Sequence, residues 1–351
     1  MDTAPDGSPR SVVVKRPRQR DGDAPYDPDG YDRHTRVFFN EWAALQVLTE
    51  VCSDPLPAPR FYGGDRQISV IAMEDFGDGR RLDHALRGGD PRDAERMLCG
   101  LFETVGRMHA QTVGKEPRYR DIRAGLGPNT VEGTTHAEPD DFDKFRAVLD
   151  AIGIEPAEGF FDEFQAIRAW FAEPGSFLAL VHGDPCPDNC HLVGETVRLL
   201  DFEHGAFRHA LKDGVYPRIH FPTCWCVNRL PDDVWQRTEA AYRRELAKGL
   251  PDAMDDGIFY GGMVAASADW AWGTFALWFM PLIDEKDWEW GLSTVRQRVL
   301  TRFELLDGMI RANDIYPSIA ETTRRTILAL RERWQDVEEM PVYPAFRAAI
   351  Q

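Results

Sequence analysis

Between residues 33 and 51 the apolar positions Val37, Phe38, Trp42, Leu45, Leu48 and Val51 recur every three or four residues. That is the spacing of one helix face, and it predicts a helix over the span. The period returns at Met97, Leu98, Leu101, Phe102, Val105 and Met108, predicting a long amphipathic helix over 91–112. Shorter helices are expected near 141–152 and 160–172, and long ones near 231–249, 257–280, 288–312 and 318–337. Strands carry a different signature. The β-branched run of Ser11–Arg16 follows the turn signal Asp6-Gly7, and short strands are expected at 60–62, 68–73 and 177–181. His191–Val193 and Val197–Leu200 read as a hairpin around Gly194. Segments 17–32, 52–59 and 114–140 are rich in Pro, Gly or Asp and read as loops.

These elements fall unevenly along the chain. Strands dominate up to residue 76, and the Gly77-Asp78-Gly79 run reads as a hinge leading into a mainly helical remainder. The expected architecture is α+β: a small β-rich lobe at 1–76, a larger helical lobe at 77–351, and a cleft between them. One stretch imitates a membrane helix, from Tyr260 to Ile283, but Asp269 lies near its middle. A carboxylate at the bilayer centre costs about 2.5–3.5 kcal/mol, so a buried core helix is the better reading.

The 351 residues carry a formal charge of −17, from 41 basic and 58 acidic side chains. Such a field repels phosphate backbones and anionic lipid, so neither nucleic acid nor a membrane surface is an expected partner, while a cationic small molecule would be drawn in. Six cysteines in a chain of this length do not make a disulfide framework, and the start Met1–Arg10 has no basic segment followed by an apolar run. Reduced thiols and a cytoplasmic location are expected. A zinc site built from Cys186, Cys190, His191, Cys224 and Cys226 is conceivable, although no CxxC pair is present.

The chemistry concentrates in Leu180–Gly205. Asp184 follows a short strand, Asn189 lies five residues on, and Asp201 ends the hairpin that starts after Asn189. Phosphoryl transfer needs a carboxylate to orient or accept a hydroxyl proton, and a divalent cation on hard oxygen ligands beside the phosphates. A hairpin folded between Asn189 and Asp201 would bring those two side chains together, with Asp184 facing the same space.

His182-Gly183-Asp184, Asn189 and Asp201-Phe202-Glu203 together resemble the signature of the aminoglycoside phosphotransferase and choline kinase family, small-molecule kinases with a two-lobed protein-kinase-like fold. The resemblance is sharp at 180–205 and looser at 11–76. It implies transfer of the γ-phosphate of ATP or GTP to a small-molecule hydroxyl, with Asp184 catalytic and Asn189 and Asp201 holding Mg2+. It further implies that Lys15 pairs with Glu41 to bind the nucleotide phosphates, and that the Met73–Phe76 segment, with Glu74 and Phe76, serves the base. It makes His182 and His109 structural. A protein kinase fits less well, because HGD stands where such enzymes carry HRD. Only fourteen residues precede Lys15, too few for the hairpin and phosphate-covering loop that the fold normally places there. An N-lobe without its first hairpin is therefore expected, because the N-terminus is incomplete, the alternative being a protein that lacks the hairpin. The alternative function is a catalytically weak or silent relative that binds nucleotide or ligand in an accessory role.

For the substrate, an amine-bearing compound is expected. Asp284, Glu285, Asp287 and Glu289 alternate with Trp288 and Trp290, a pairing of carboxylates and aromatic faces that suits ammonium groups, though a helix start would also explain it. Asp269 is a further candidate, since a lone carboxylate in an apolar helix needs a partner. Glu203 reads either as an aid to metal or substrate, or as a brace of its loop. Asp188 reads as an exposed turn residue or helix cap.

Overall fold

The computed structural model describes residues 9–17, 26–30, 33–127, 141–278 and 286–349. Strand β1 (Val12–Lys15) pairs antiparallel with β3 (Val70–Glu74), which pairs on its other side with β2 (Phe61–Asp65), giving the order β1-β3-β2. Helix α1 (Arg33–Val51) lies against this sheet through Trp42. A Cβ on Gly64 would meet the Trp42 ring at 2.5 Å, so this close approach of strand and helix requires glycine. The face of α1 anticipated from its periodicity, Phe38, Trp42, Leu45 and Leu48, is buried.

After β3 the chain passes through Gly77, held at φ 61°, into β4 (Arg80–Arg81) and α2 (Leu82–Arg87). Helix α3 (Pro91–Thr112) starts on an Asp90 cap that accepts from the amides of Arg92 and Asp93. Its buried stripe packs against α8 (Asp232–Leu246), most closely at Gly106, where a Cβ would meet the Tyr242 carbonyl at 2.5 Å. Segment 114–140 reads as loop, yet Glu116–Leu126 forms helix α4 and buries Tyr119, Ile122 and Leu126. Pro117 at its first turn is a start signal that the proline content obscured.

Helices α5 (Asp141–Ile152) and α6 (Phe160–Ala172) match their expected spans. They wrap Trp272 of α9 (Asp256–Trp278), whose ring meets Phe145, Phe160 and Phe164 at centroid distances of 5.8, 4.9 and 6.3 Å. Strand β5 (Leu178–Val181) leads into the motif segment. Strands β6 (Cys190–Val193) and β7 (Thr196–Leu199) form the expected hairpin, turning at Gly194 with φ 61°, and β4 joins its edge. Strand β8 (Ala206–His209) returns antiparallel to β5, followed by the short α7 (Leu211–Gly214).

The helix expected over 288–312 begins later. Glu289–Trp290 (β9) and Ser293–Thr294 (β10) form a tight hairpin, and α10 (Val295–Asn313) starts on a Thr294/Gln297 capping box. Asp287–Trp290 is therefore not a first helical turn; Asp284 and Glu285 lie outside the described residues. Helix α11 (Pro317–Arg333) closes the helical part against α10. The fold is α+β, with a small antiparallel sheet and one helix ahead of a largely helical body. Among the described residues no helix is long and apolar enough to cross a membrane.

Candidate active site

The segment from His182 to Asn189 runs from the end of β5 to the start of β6, and each turn of it has a visible cause. Gly183 sits at φ 82°, where a Cβ would meet His204 at 2.8 Å, so no other residue fits without strain. The amides of His182 and Gly183 donate to the two carboxylate oxygens of Asp213, at 2.6 and 3.1 Å. Asp213 is wholly buried. Burial alone would raise its carboxyl, but His109, 3.4 Å away, and His182 outweigh burial and hold it below the usual carboxylate range. The His182 ring closes the turn: Nε2 donates to the Leu200 carbonyl at 2.8 Å and Nδ1 accepts from the Asp184 amide at 3.1 Å. That pattern is satisfied by one neutral tautomer and leaves no proton to transfer. Both histidines act here as structural groups.

Asp184 emerges half-buried from this loop with both carboxylate oxygens engaged. Oδ1 accepts from the Thr223 hydroxyl, and from Cys186 Sγ at 2.9 Å. Oδ2 accepts from Asn189 Nδ2 at 3.3 Å, and the same nitrogen reaches the Asp184 carbonyl at 3.1 Å. With its nitrogen so used, Asn189 Oδ1 has no hydrogen-bond partner among the described residues and is left as an oxygen that could ligate a cation. The Asn189 carbonyl accepts from the Leu200 amide at 2.8 Å, which ties the end of the loop to the residue before Asp201. Asp201 itself adopts a left-handed conformation, φ 66° and ψ 63°, uncommon for a residue with a side chain.

Across the cleft, Lys15 Nζ lies 2.8 Å from Glu41 Oε1 and 2.5 Å from Asp201 Oδ1. Burial pushes the Glu41 carboxyl up to about 7, against the pull of Lys15. For Lys15, burial works downward, but Glu41 and Asp201 outweigh it and raise the ammonium above its ordinary value. The cleft around this triad has a volume of about 310 Å³. Arg16, Arg33 and His34 line it beside Glu203, basic residues that sequence reasoning did not single out. The signal was available: Arg33 and His34 open α1 about two turns before Glu41.

Other expected site residues have different placements. The Glu74 carboxylate is clasped by Arg198 at 2.9 and 2.7 Å and accepts from the Arg60 amide at 3.1 Å. Phe76 lies 4.3 Å under the same guanidinium. Both side chains thus brace the segment after β3, so only its backbone is left to meet a ligand. Asp269 is not a substrate group on the cleft surface. It is buried in an ion pair with Lys212, also buried, and this is the partner its apolar helix required. Glu203 stands at the rim, 3.5 Å from His204 Nε2, while its carbonyl is 3.5 Å from Asn40 Nδ2. Asp287 accepts from the Arg296 amide at 3.1 Å. Asp188 is half-buried rather than exposed, and accepts from Trp225 Nε1 at 2.8 Å. His191 faces Phe76, apart from the cysteines. Thr223, Cys186 and Asp213 are the supports that the sequence motif did not reveal.

Residues 6–253 match the profile of the phosphotransferase enzyme family, APH. No curated protein sequence matches the chain. Similar solved structures include a choline/ethanolamine kinase family protein from Mesorhizobium loti, with 13% identity, a TM-score of 0.47, and coverage of 92% of this chain and 87% of that one. A choline kinase from Streptococcus pneumoniae has 12% identity and a TM-score of 0.40, covering 85% and 86%. A macrolide 2'-phosphotransferase from Brachybacterium faecium has 16% identity and a TM-score of 0.39, covering 78% and 86%.

Proposed function

Because the chain belongs to the phosphotransferase enzyme family, we propose that it is a small-molecule kinase that moves the γ-phosphoryl group of ATP or GTP to a hydroxyl of an amine-bearing compound. The observation that carries this reading is Lys15, whose ammonium joins Glu41 and Asp201 at the mouth of the loop that bears Asp184. Lys15, held by Glu41, would bind the nucleotide phosphates, with Arg16 and Arg33 close enough to share that charge. The backbone from Met73 to Phe76 would meet the base.

The residues present fit Mg2+. Asn189 Oδ1 and the Asp201 carboxylate are hard oxygen donors, and two protein ligands are the usual complement for this ion beside phosphates. When bound, the ion would neutralise charge on the phosphoryl oxygens. Asp184 orients the acceptor hydroxyl and takes its proton. Its two oxygens are already fixed by Thr223, Cys186 and Asn189, so the base needs no rearrangement before it acts. Glu203, at the cleft rim, would face an amine on the acceptor, and the net charge of −17 favours the approach of a cation.

The test is a phosphate-transfer screen of the full chain with Mg2+ and either ATP or GTP, run against aminoglycosides, amino alcohols and neutral sugars. Turnover of an amine-bearing acceptor, with a second-order rate that falls as salt rises, is expected. Efficient, salt-insensitive turnover of neutral sugars would overturn the substrate class. Tight nucleotide binding with no transfer to any acceptor would favour an accessory, binding-only role.

A further inference from the structure

Directly behind the catalytic loop lies a cluster that phosphoryl transfer does not use. Cys186 is on the loop itself, Asp188 follows it, and Cys224 and Cys226 approach from the segment after Thr223. The ligand atoms of Cys186, Asp188 and Cys224 all lie within 4.8 Å of one another. Cys224 Sγ is 3.7 Å from Asp188 Oδ1 and 2.8 Å from Cys226 Sγ. Tetrahedral zinc, with Zn–S about 2.3 Å and Zn–O about 2.1 Å, would set a sulfur and an oxygen about 3.6 Å apart and two sulfurs about 3.8 Å apart. The Cys224–Asp188 spacing already agrees, whereas the Cys226 thiol, packed on Cys224 but outside that 4.8 Å set, has to swing away from Cys224 and toward the other ligands to join it.

A second feature, independent of that spacing, asks for negative charge at the same place. Arg298 and Arg302 are 1% and 4% exposed. Arg298 donates only to the carbonyls of Cys224, Trp225 and Trp290 and to Ser293 Oγ. Arg302 donates only to the Pro222 carbonyl and Thr274 Oγ1. Among the described residues neither has a carboxylate partner. Buried cations are costly unless an anion is near. Both hold the backbone beside the thiols, so the anion they lack is one the cysteines can supply.

We propose that Cys186, Cys224, Cys226 and Asp188 form a structural zinc site beneath the catalytic loop, with Arg298 and Arg302 as its charge-balancing outer shell. Binding would replace three thiol protons, released to solvent, by one Zn2+. Three thiolates and a carboxylate then leave the ion with two negative charges in excess, matching the two guanidiniums. Burial decides for metal over a redox role. The three thiols are at most 1% exposed, which closes them to soluble oxidants, whereas a structural ion is taken up as the chain folds. Cys190 stays outside the site, because its Sγ donates to the Cys186 carbonyl at 3.0 Å. With zinc bound, Cys186 would lose the proton it shares with Asp184, leaving Thr223 as the donor to that oxygen.

The test is elemental analysis of the full chain, purified without chelator, incubated with zinc and desalted. About one zinc per chain is expected, falling at least fivefold in Cys224→Ser/Cys226→Ser and unchanged in Asp201→Ala, which separates this site from the cleft. Replacing zinc by Co2+ in the wild-type chain should give thiolate-to-cobalt charge-transfer absorption, a readout that does not depend on the variants folding. A folded wild-type chain that retains no zinc and gives no such band would overturn the proposal. So would equal zinc in the cysteine double variant, or a mass showing Cys224 and Cys226 joined as a disulfide in the purified protein.

Discussion

Lys15 Nζ and Asp201 Oδ1 stand 2.5 Å apart, although 186 positions separate them in the chain. The contact closes the small sheet onto the helical body at the mouth of the cleft, with Glu41 on the other side of the same ammonium. It makes Asp201 the hinge pin of the site: under the proposed function, one carboxylate would both contact the phosphate-binding lysine and hold a cation.

Asp201→Ala should therefore abolish Mg2+-dependent nucleotide binding, since the cation loses its anionic ligand. Calorimetry with ATP, with and without Mg2+, measures this. Equal Mg2+-dependent affinity in variant and wild type would remove Asp201 from the site.

Asp184→Asn should leave the melting temperature and nucleotide affinity close to wild type and lower turnover by about 10²–10⁴, the range for losing a positioned acid–base group. The amide can still accept from Thr223 and Cys186. Wild-type turnover in this variant would mean that Asp184 is not the base.

Thr223→Val removes a donor from Asp184 Oδ1 without changing the size of the side chain much. A hydrogen bond to a charged group contributes about 1.5–3 kcal/mol, so turnover should fall by about 10- to 100-fold. The Michaelis constant should move little, because the contact orients the base rather than the substrate, and Thr223→Ser should restore the rate. A change confined to the Michaelis constant would contradict this assignment.

Glu41 gives the pH dependence. Its carboxyl sits at about 7 in the fold against an ordinary 4.5, so the folded chain binds this proton more tightly than the unfolded one. Its contribution to stability is therefore fully present below pH 4.5 and is lost as pH rises through 7. Function runs the other way. The pair with Lys15 needs the carboxylate, so nucleotide affinity should climb through about pH 7. Glu41→Gln should remove both inflections, measured by denaturant titration and by nucleotide binding from pH 5 to 9. Persistence of either inflection would assign it to another group.

The buried Lys212–Asp269 pair predicts asymmetry. Lys212→Met strands a carboxylate in the core and should cost about 3–5 kcal/mol in urea denaturation. Lys212→Met/Asp269→Leu should recover most of that loss. A double variant no better than the single one would show that the pair is needed for more than neutrality.

Much of this fold could be read from the chain. Helices α1 and α3 keep regular apolar stripes, and β1 is bounded by turn residues, so local pattern and final structure agree. The motif segment was legible for a similar reason: its functional groups lie within 22 residues of one another, on a loop and a hairpin. What could not be read lies at a distance. Thr223 meets Asp184 across 39 positions, and Asp213 meets His182 across 31, contacts that only packing creates. Asp269 looked like a lone carboxylate because Lys212 is 57 positions away. The helix expected from 288 starts late because Glu289 and Trp290 pair with Thr294 and Ser293 in a hairpin instead.

The two amides gripped by Asp213 have a bearing on timing. Backbone protons on an exposed loop trade with solvent quickly, and a loop that must be ordered by its ligand slows every binding event. Here the His182 and Gly183 protons point into a fully buried carboxylate, so they can exchange only when the helical body around α7 opens. The shape of the turn is thus fixed once, when the protein folds, and each encounter with nucleotide and acceptor begins from a loop that has no ordering left to do.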